Sequence, residues 1–171
     1  MLAKKFDLDN LSQAGCSEYK IRQQLNQVDL TEYTHCIVTH TSPWRIPVEK
    51  HPLHQDDALH FACDLIYADI LASNDKRVDC AKEFFAHYYH KDFYEYIYKL
   101  IAQDINQLLL RTSLSKLEIT FFDTFLETFD RQFHVLFKHN KGDVNHLSDK
   151  ANKLVYEHLV KWIEIQNNVR H

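Results

Sequence analysis

Only two glycines and three prolines punctuate the 171 residues, and all three prolines fall in one stretch, TSPWRIPVEKHPLH, as Pro43, Pro47 and Pro52. Glycine ordinarily supplies about 7% of a chain and proline about 5%. A sequence this poor in both has few sites for tight turns, which predicts long helices joined by short connections. Proline removes a backbone donor and pushes the preceding residue out of the helical region. Residues 41–54 therefore read as a Pro-containing connection, anchored by Trp44, between a small helical unit at 1–40 and a larger helical bundle at 55–171. The expected fold class is all-α: a three-helix N-terminal unit plus an antiparallel bundle with a Phe- and Tyr-rich core.

Within the body, Ala58, Phe61, Ala62, Leu65 and Ile66 recur at helical spacing. SND at 73–75 interrupts, with Asp75 as an N-cap. KRVDCAKEFFAHYYHKDFYEYIYKLIAQDINQLLLR reads as one long helix, or two with a joint near His90–Asp92. The next helix carries a seam of Leu117, Phe121, Phe125, Phe129 and Leu136. Gly142 and Asp143 read as a C-cap and an N-cap. A last helix from Val144 to about Val169 sets Leu147, Ala151, Leu154, His158, Trp162 and Ile165 on one face, which makes His158 a buried core histidine.

The hydrophobic share of 45% is enough for a core, and no apolar run reaches the length of a membrane span. The start, MLAKKFDLDN, turns acidic before any apolar region, so it does not read as a signal peptide, and a cytoplasmic protein is expected. Net charge is −4 with the twelve histidines neutral. Mild acidification would erase that charge, but the histidines read as scattered surface imidazoles. Cys16, Cys36, Cys63 and Cys80 form no C-x-x-C pair, and the first three lie at or near apolar positions, as small hydrophobes do.

Two stripes carry acid and imidazole at helical spacing: Glu83, His87 and His90, and Asp123, Glu127, Asp130 and His134. Di-metal bundles point Glu and Glu-x-x-His groups inward. Here the stripes lie opposite Val78, Ala81, Phe85 and Tyr88, and away from Leu117 and Phe121. They read as partner-facing or solvated surfaces, with Glu83, His87, His90, Glu127, Asp130 and His134 as the partner-face candidates. Asp56, His60 and Asp64 form a third stripe with the same solvated reading, and His51 and His54 lack the further ligands a zinc site needs. No metal, no cofactor and no catalytic residue is expected. Glycines only at 15 and 142 leave no phosphate loop, and no nucleophile motif is present.

The stretch NLSQAGCSEYKIRQQLNQVDLTEYTHCIVTH reads as three short helices: Leu8, Leu11 and Ala14 on the first, Ile21 and Leu25 on a second capped by Ser17, and Tyr33 and Ile37 on a third capped by Asp29 or Thr31. Such a trio matches a helix-turn-helix layout. The DNA-contact candidates are Lys4, Lys5, Lys20, Arg22, Thr31, Thr34 and His35. Acidic Asp7, Asp9, Glu18, Asp29, Glu32 and Glu49 balance the local cations, and the third helix offers no Lys or Arg to phosphates.

Residues 8–60 resemble the N-terminal part of the FlhC family of flagellar master transcription activators, through Gly15, Leu25, Ser42, Pro43 and Pro47. The resemblance implies transcription regulation and DNA contact. That family ends in a four-cysteine zinc cluster, which the cysteine spacing here does not reproduce. The expectation is thus a non-enzymatic regulatory protein that contacts DNA through its N-terminal unit and uses the bundle for dimerisation or a protein partner. The alternative is a protein-binding bundle of adaptor, inhibitor or immunity type without DNA contact, and a third reading is a metal-binding bundle.

Overall fold

A computed structural model describes residues 2–58, 60, 62–123, 126–140 and 147–169. Phe61, Phe125, Gly142, Asp143 and Val144, used above to define seams and caps, lie outside the described residues. The fold is mixed α/β rather than all-α. Two strands pair in parallel, β1 (His35–His40) and β4 (Ser115–Thr120), and a short antiparallel pair joins β2 (Arg45–Ile46) to β3 (Leu65–Ile66), with Arg45 opposite Ile66 and Ile46 opposite Leu65. The helices among the described residues are α1 (Glu18–Leu25), α2 (Tyr67–Ala72), α3 (Asp79–His87), α4 (Lys91–Leu110), α5 (Gln132–His139) and α6 (Asp149–Val169).

The two longer strands overturn the helical expectation, and the residues give the reason. Ile37, Val38 and Thr39 are consecutive β-branched residues, which lose side-chain freedom in a helix and fit a pleated strand. The would-be third helix of the N-terminal trio shrinks to a 3-10 turn, Leu30–Glu32, before β1. In β4, Leu117 and Ile119 alternate with a period of two and sit in a core with Phe133 and Leu159. The seam projected through Leu117 and Phe121 is therefore not a helix face. The described residues among 54–64 are turns and irregular backbone, and the helix expected there begins only at Tyr67, after Leu65 and Ile66 have entered β3.

The chain divides into two compact units, each assembled from separate segments. The first comprises Met1–Asn10, Leu30–Thr39 and Thr112–His171. In it β4 donates Ser115 N–H to the Thr34 carbonyl at 2.8 Å, and α5 and α6 pack around Leu117, Ile119, Phe133 and Leu159. The buried seam of α6 is Ala151, Leu159 and Ile163. His158 is exposed and Ile165 is 48% exposed, so the face projected through His158 is rotated off the core.

The second unit comprises Leu11–Asp29 and His40–Arg111. Its core gathers Ile46, Leu65, Ile70, Val78 and Phe85, with Tyr67, Tyr89 and Tyr94 packed around it. Fully burying one aliphatic side chain such as Ile70 or Val78 stabilises a fold by about 1.5–3 kcal/mol. The joint between α3 and α4 falls at Tyr88–His90, where His90 caps α4 by accepting the Phe93 N–H at 3.3 Å. α4 turns Tyr98, Ala102, Ile105, Asn106 and Leu109 inward, a seam at helical spacing, and α1 packs against it.

Candidate functional site

A set of buried ionisable groups lies in the second unit, around the start of α1. Gly15 holds φ at +68°, a left-handed conformation that costs an L side chain about 1–2 kcal/mol. A Cβ there would also overlap Cys63 Sγ. The turn brings the Gly15 carbonyl to the Asp64 N–H at 3.1 Å and the Ala14 carbonyl to the Cys63 thiol at 3.2 Å. Ser17 then caps α1, its hydroxyl accepting from Lys20 N–H at 3.4 Å. Asp64, wholly buried, accepts from Ser17 N–H at 2.6 Å, Val48 N–H at 2.9 Å and Lys20 Nζ at 2.6 Å. Lys20 spends its remaining donors on the carbonyls of Val48 at 3.0 Å and Ala62 at 2.7 Å, so its ammonium is satisfied. This corrects the solvated-stripe reading of Asp64: it is the buried acceptor that ties three segments together.

A second buried acid sits one residue past the cap. Glu18 Oε1 meets His40 Nδ1 at 2.5 Å and Oε2 accepts the Thr41 N–H at 3.2 Å. An acid in the first turn is favoured by the helix dipole. Glu18 also lines a cleft of about 150 Å³ bounded by the cap Ser17 and Tyr19 of α1, by Ser42, Pro43, Arg45 and Pro47, and by Tyr94, Ile97, Tyr98 and Ile101 of α4. Burial lowers the Arg45 guanidinium from its ordinary value, against the opposing pull of Cys63, Cys16, Asp69 and Asp64. His40 does not line the cleft. Its walls are mostly aromatic, aliphatic or proline, with a polar end at Glu18 and Arg45. A space of this size suits a single apolar or aromatic side chain.

Beside the cleft, α4 has a second apolar face that the fold leaves uncovered. Phe93 is 53% exposed, Tyr96 60%, Leu100 43% and Leu110 58%. At 100° per residue these four share one arc with Gln103 and Gln107, which are also exposed. α4 is therefore apolar on two sides, one filled and one open. The signal is present in FYEYIYKLIAQDINQLLL, whose apolar residues run almost all round the helix; Phe93, Tyr96, Leu100 and Leu110 were not among the sequence-read candidates.

The DNA-contact candidates fall in both units. Lys4 is exposed on a 3-10 turn, and Lys5 pairs with Glu164 at 2.5 Å. Lys20 is bound to Asp64, and Arg22 Nε meets Asp104 at 2.5 Å while its other arm reaches Asn26. Thr31 is exposed in the turn before β1, Thr34 Oγ1 lies 2.9 Å from His35 Nδ1, and the His35 ring stands edge-on to Trp162 at 5.5 Å. Lys20 and Arg22 belong to one unit and the other five to the other.

The partner-face candidates also divide between the units. Glu83 and His87 form an exposed pair at 3.3 Å on α3, and His90 is the cap of α4. The stripe of Asp123, Glu127, Asp130 and His134 is not a helix face, because α5 begins only at Gln132. Glu127 is an exposed turn residue, Asp130 accepts from Gln132 N–H at 2.9 Å, and His134 Nε2 meets Asp123 at 2.9 Å.

His51, His54 and His60 cluster as rings, 4.4 and 5.5 Å apart, with Asp57 2.6 Å from His60 Nδ1. The His51 and His54 rings stack and the His60 ring is tilted against His54, and no group of three or more His, Cys, Asp or Glu among the described residues could hold a metal ion. No helix among the described residues is long and apolar enough to cross a membrane. The chain matches no protein-family model, no curated protein and no solved structure.

Proposed function

We propose that this is a non-enzymatic protein-binding module whose docking surface is the outer face of α4 together with the adjoining cleft. The observation that carries the reading is the run of Phe93, Tyr96 and Leu100 standing 43–60% exposed on a helix whose other side is already packed. Large aromatic residues on an open helix face are the side chains that anchor protein interfaces. A helix presenting them at i, i+3 and i+7 uses a recurrent docking geometry. The ionisable groups nearby are engaged in holding the chain: Asp64 and Glu18 accept backbone N–H groups, and Lys20 is bound by three oxygens. Contact with DNA, the other reading, draws less support, since Lys5, Lys20 and Arg22 are each paired with a carboxylate and phosphate binding needs cations to spare.

Site-specific photocrosslinking in the native host tests this. A benzophenone amino acid at position 96 is expected to give a discrete adduct whose added mass is a protein, and the same group at Glu83 none. No adduct at 96, or the same adducts at both positions, would refute it. A gel shift at about 50 mM salt, where electrostatic DNA binding is strong, is expected to show no complex.

A further inference from the structure

We propose that the partner seated on the outer face of α4 is a second copy of the chain, joined α4 to α4 in parallel about a twofold axis. This rests on the protein-binding reading and names its partner. The exposed positions 93, 96, 100, 103, 107 and 110 follow one another at intervals of three and four, the spacing of a coiled-coil seam. The seam runs about 26 Å along the helix at 1.5 Å per residue. No charged residue falls within it, so no layer places like charges against themselves across a twofold. Phe93, Tyr96, Leu100 and Leu110 meet their own kind. Gln103 and Gln107 carry amides that donate and accept at once and so can pair with themselves. A seam that is self-complementary at every layer fits a copy better than a stranger.

The charges on its edges set the direction. Lys99 and Asp104 are both exposed and flank the seam on opposite sides. In a parallel pair, Lys99 of one copy lies against Asp104 of the other, twice by symmetry, as flanking positions of parallel coiled coils do. An antiparallel pair would set the two Lys99 edges together and the two Asp104 edges together. Asp104 already accepts from Arg22, but a carboxylate has lone pairs for a second donor. With two of six layers polar and a single helix from each copy, the contact belongs with small, transient interfaces, with a dissociation constant on the order of micromolar.

Sedimentation equilibrium between about 1 and 200 µM tests the proposal, because self-association follows concentration. The mass is expected to rise from 20.4 kDa towards twice that value. Leu100→Glu, which sets two carboxylates at the axis, should remain monomeric throughout with an unchanged circular dichroism spectrum. Lys99→Glu, fully on the surface, should weaken the dimer several-fold without touching the seam. Direction is read by disulfide capture in protein carrying Cys80→Ser and Gln107→Cys, because an antiparallel pair about the seam's midpoint would hold the two 107 positions about 16 Å apart along the axis. Oxidised glutathione takes the two electrons, the two introduced thiols lose their protons as the S–S bond forms between copies, and two reduced glutathiones leave. A covalent dimer is expected for the parallel arrangement. Monomer at every concentration, a dimer indifferent to both charge substitutions, or a dimer that fails to crosslink at position 107 would overturn the proposal. A monomeric protein that still crosslinks at position 96 to a different protein overturns this inference and leaves the protein-binding reading standing; absence of both removes both.

Discussion

Replacing Asp64 with alanine should be among the most damaging single changes in the second unit. The carboxylate is wholly buried and accepts three hydrogen bonds, two from backbone N–H groups and one from Lys20. Hydrogen bonds to a charged group contribute about 1.5–3 kcal/mol each, but the three are not additive, because all draw on one desolvated charge. Removing one partner of a buried ion pair typically costs about 3–5 kcal/mol, and that is the expected loss. It is a large part of the roughly 5–15 kcal/mol that holds a domain folded. At a urea slope of about 2 kcal/mol per molar, the midpoint should fall by roughly 1.5–2.5 M. Trp44 lies in the second unit and Trp162 in the first. Urea titration followed by fluorescence in a Trp162→Phe background therefore reports the affected unit. Asp64→Asn keeps the volume and loses the charge, separating packing from electrostatics, and Lys20→Met closes a double-mutant cycle with an expected coupling above about 1.5 kcal/mol. A loss below about 1 kcal/mol for Asp64→Ala, or no coupling to Lys20, would refute the claim that this pair ties residues 17, 48 and 64 together.

Gly15→Ala combines a positive φ with overlap against Cys63 and should destabilise by about 2–4 kcal/mol; Cys63→Ala in the same chain should recover part of that in urea titration, and no recovery would leave only the backbone term. Cys80 is exposed, whereas burial raises the thiols of Cys16 and Cys63 and pushes Cys36 up to about 11. A chromogenic disulfide at about pH 8 should find one fast thiol in native protein, abolished by Cys80→Ser, since the thiolate is the reacting form. Burial, with His54 adding to it, lowers His51 below its ordinary 6.5, and Leu53 N–H donates to its Nδ1 at 3.1 Å, which requires that nitrogen unprotonated. The unfolded chain therefore takes the proton first. The His51 contribution is complete above about pH 6.5 and falls as pH drops below it, by at most about 1.4 kcal/mol per pH unit. His51→Asn should flatten that slope, and an unchanged slope would count against a buried neutral ring.

Some of the fold can be read directly from the chain, because its signals are local. Ser17 caps a helix carrying Ile21 and Leu25, and Asp75 caps the 3-10 turn Lys76–Val78. His90 stands at the joint between α3 and α4. The prolines mark a non-helical connection. Each is a preference of a residue and its near neighbours, and tertiary packing did not override it. The two faces of α4 are also written in its composition, although nothing local says which face a core will cover.

What only the tertiary structure decided is long-range. His35–His40 and Ser115–Thr120 are runs of six residues, short enough for Ile37 or Leu117 to be drawn into a helical period. They become strands because each supplies the ladder the other needs. Asp64 could not be assigned from its neighbours. On an isolated helix it would be one more solvated acid; in the fold it is the carboxylate that Ser17 N–H, Val48 N–H and Lys20 all share. The sequence by itself determined only the punctuation that acts locally, the caps at Ser17 and Asp75, the break before α4 and the proline connection, since capping and proline act within a few residues. Strand pairing, the burial of Asp64 and Glu18, and the face of α4 left open depend on partners far along the chain, which only the folded protein brings together.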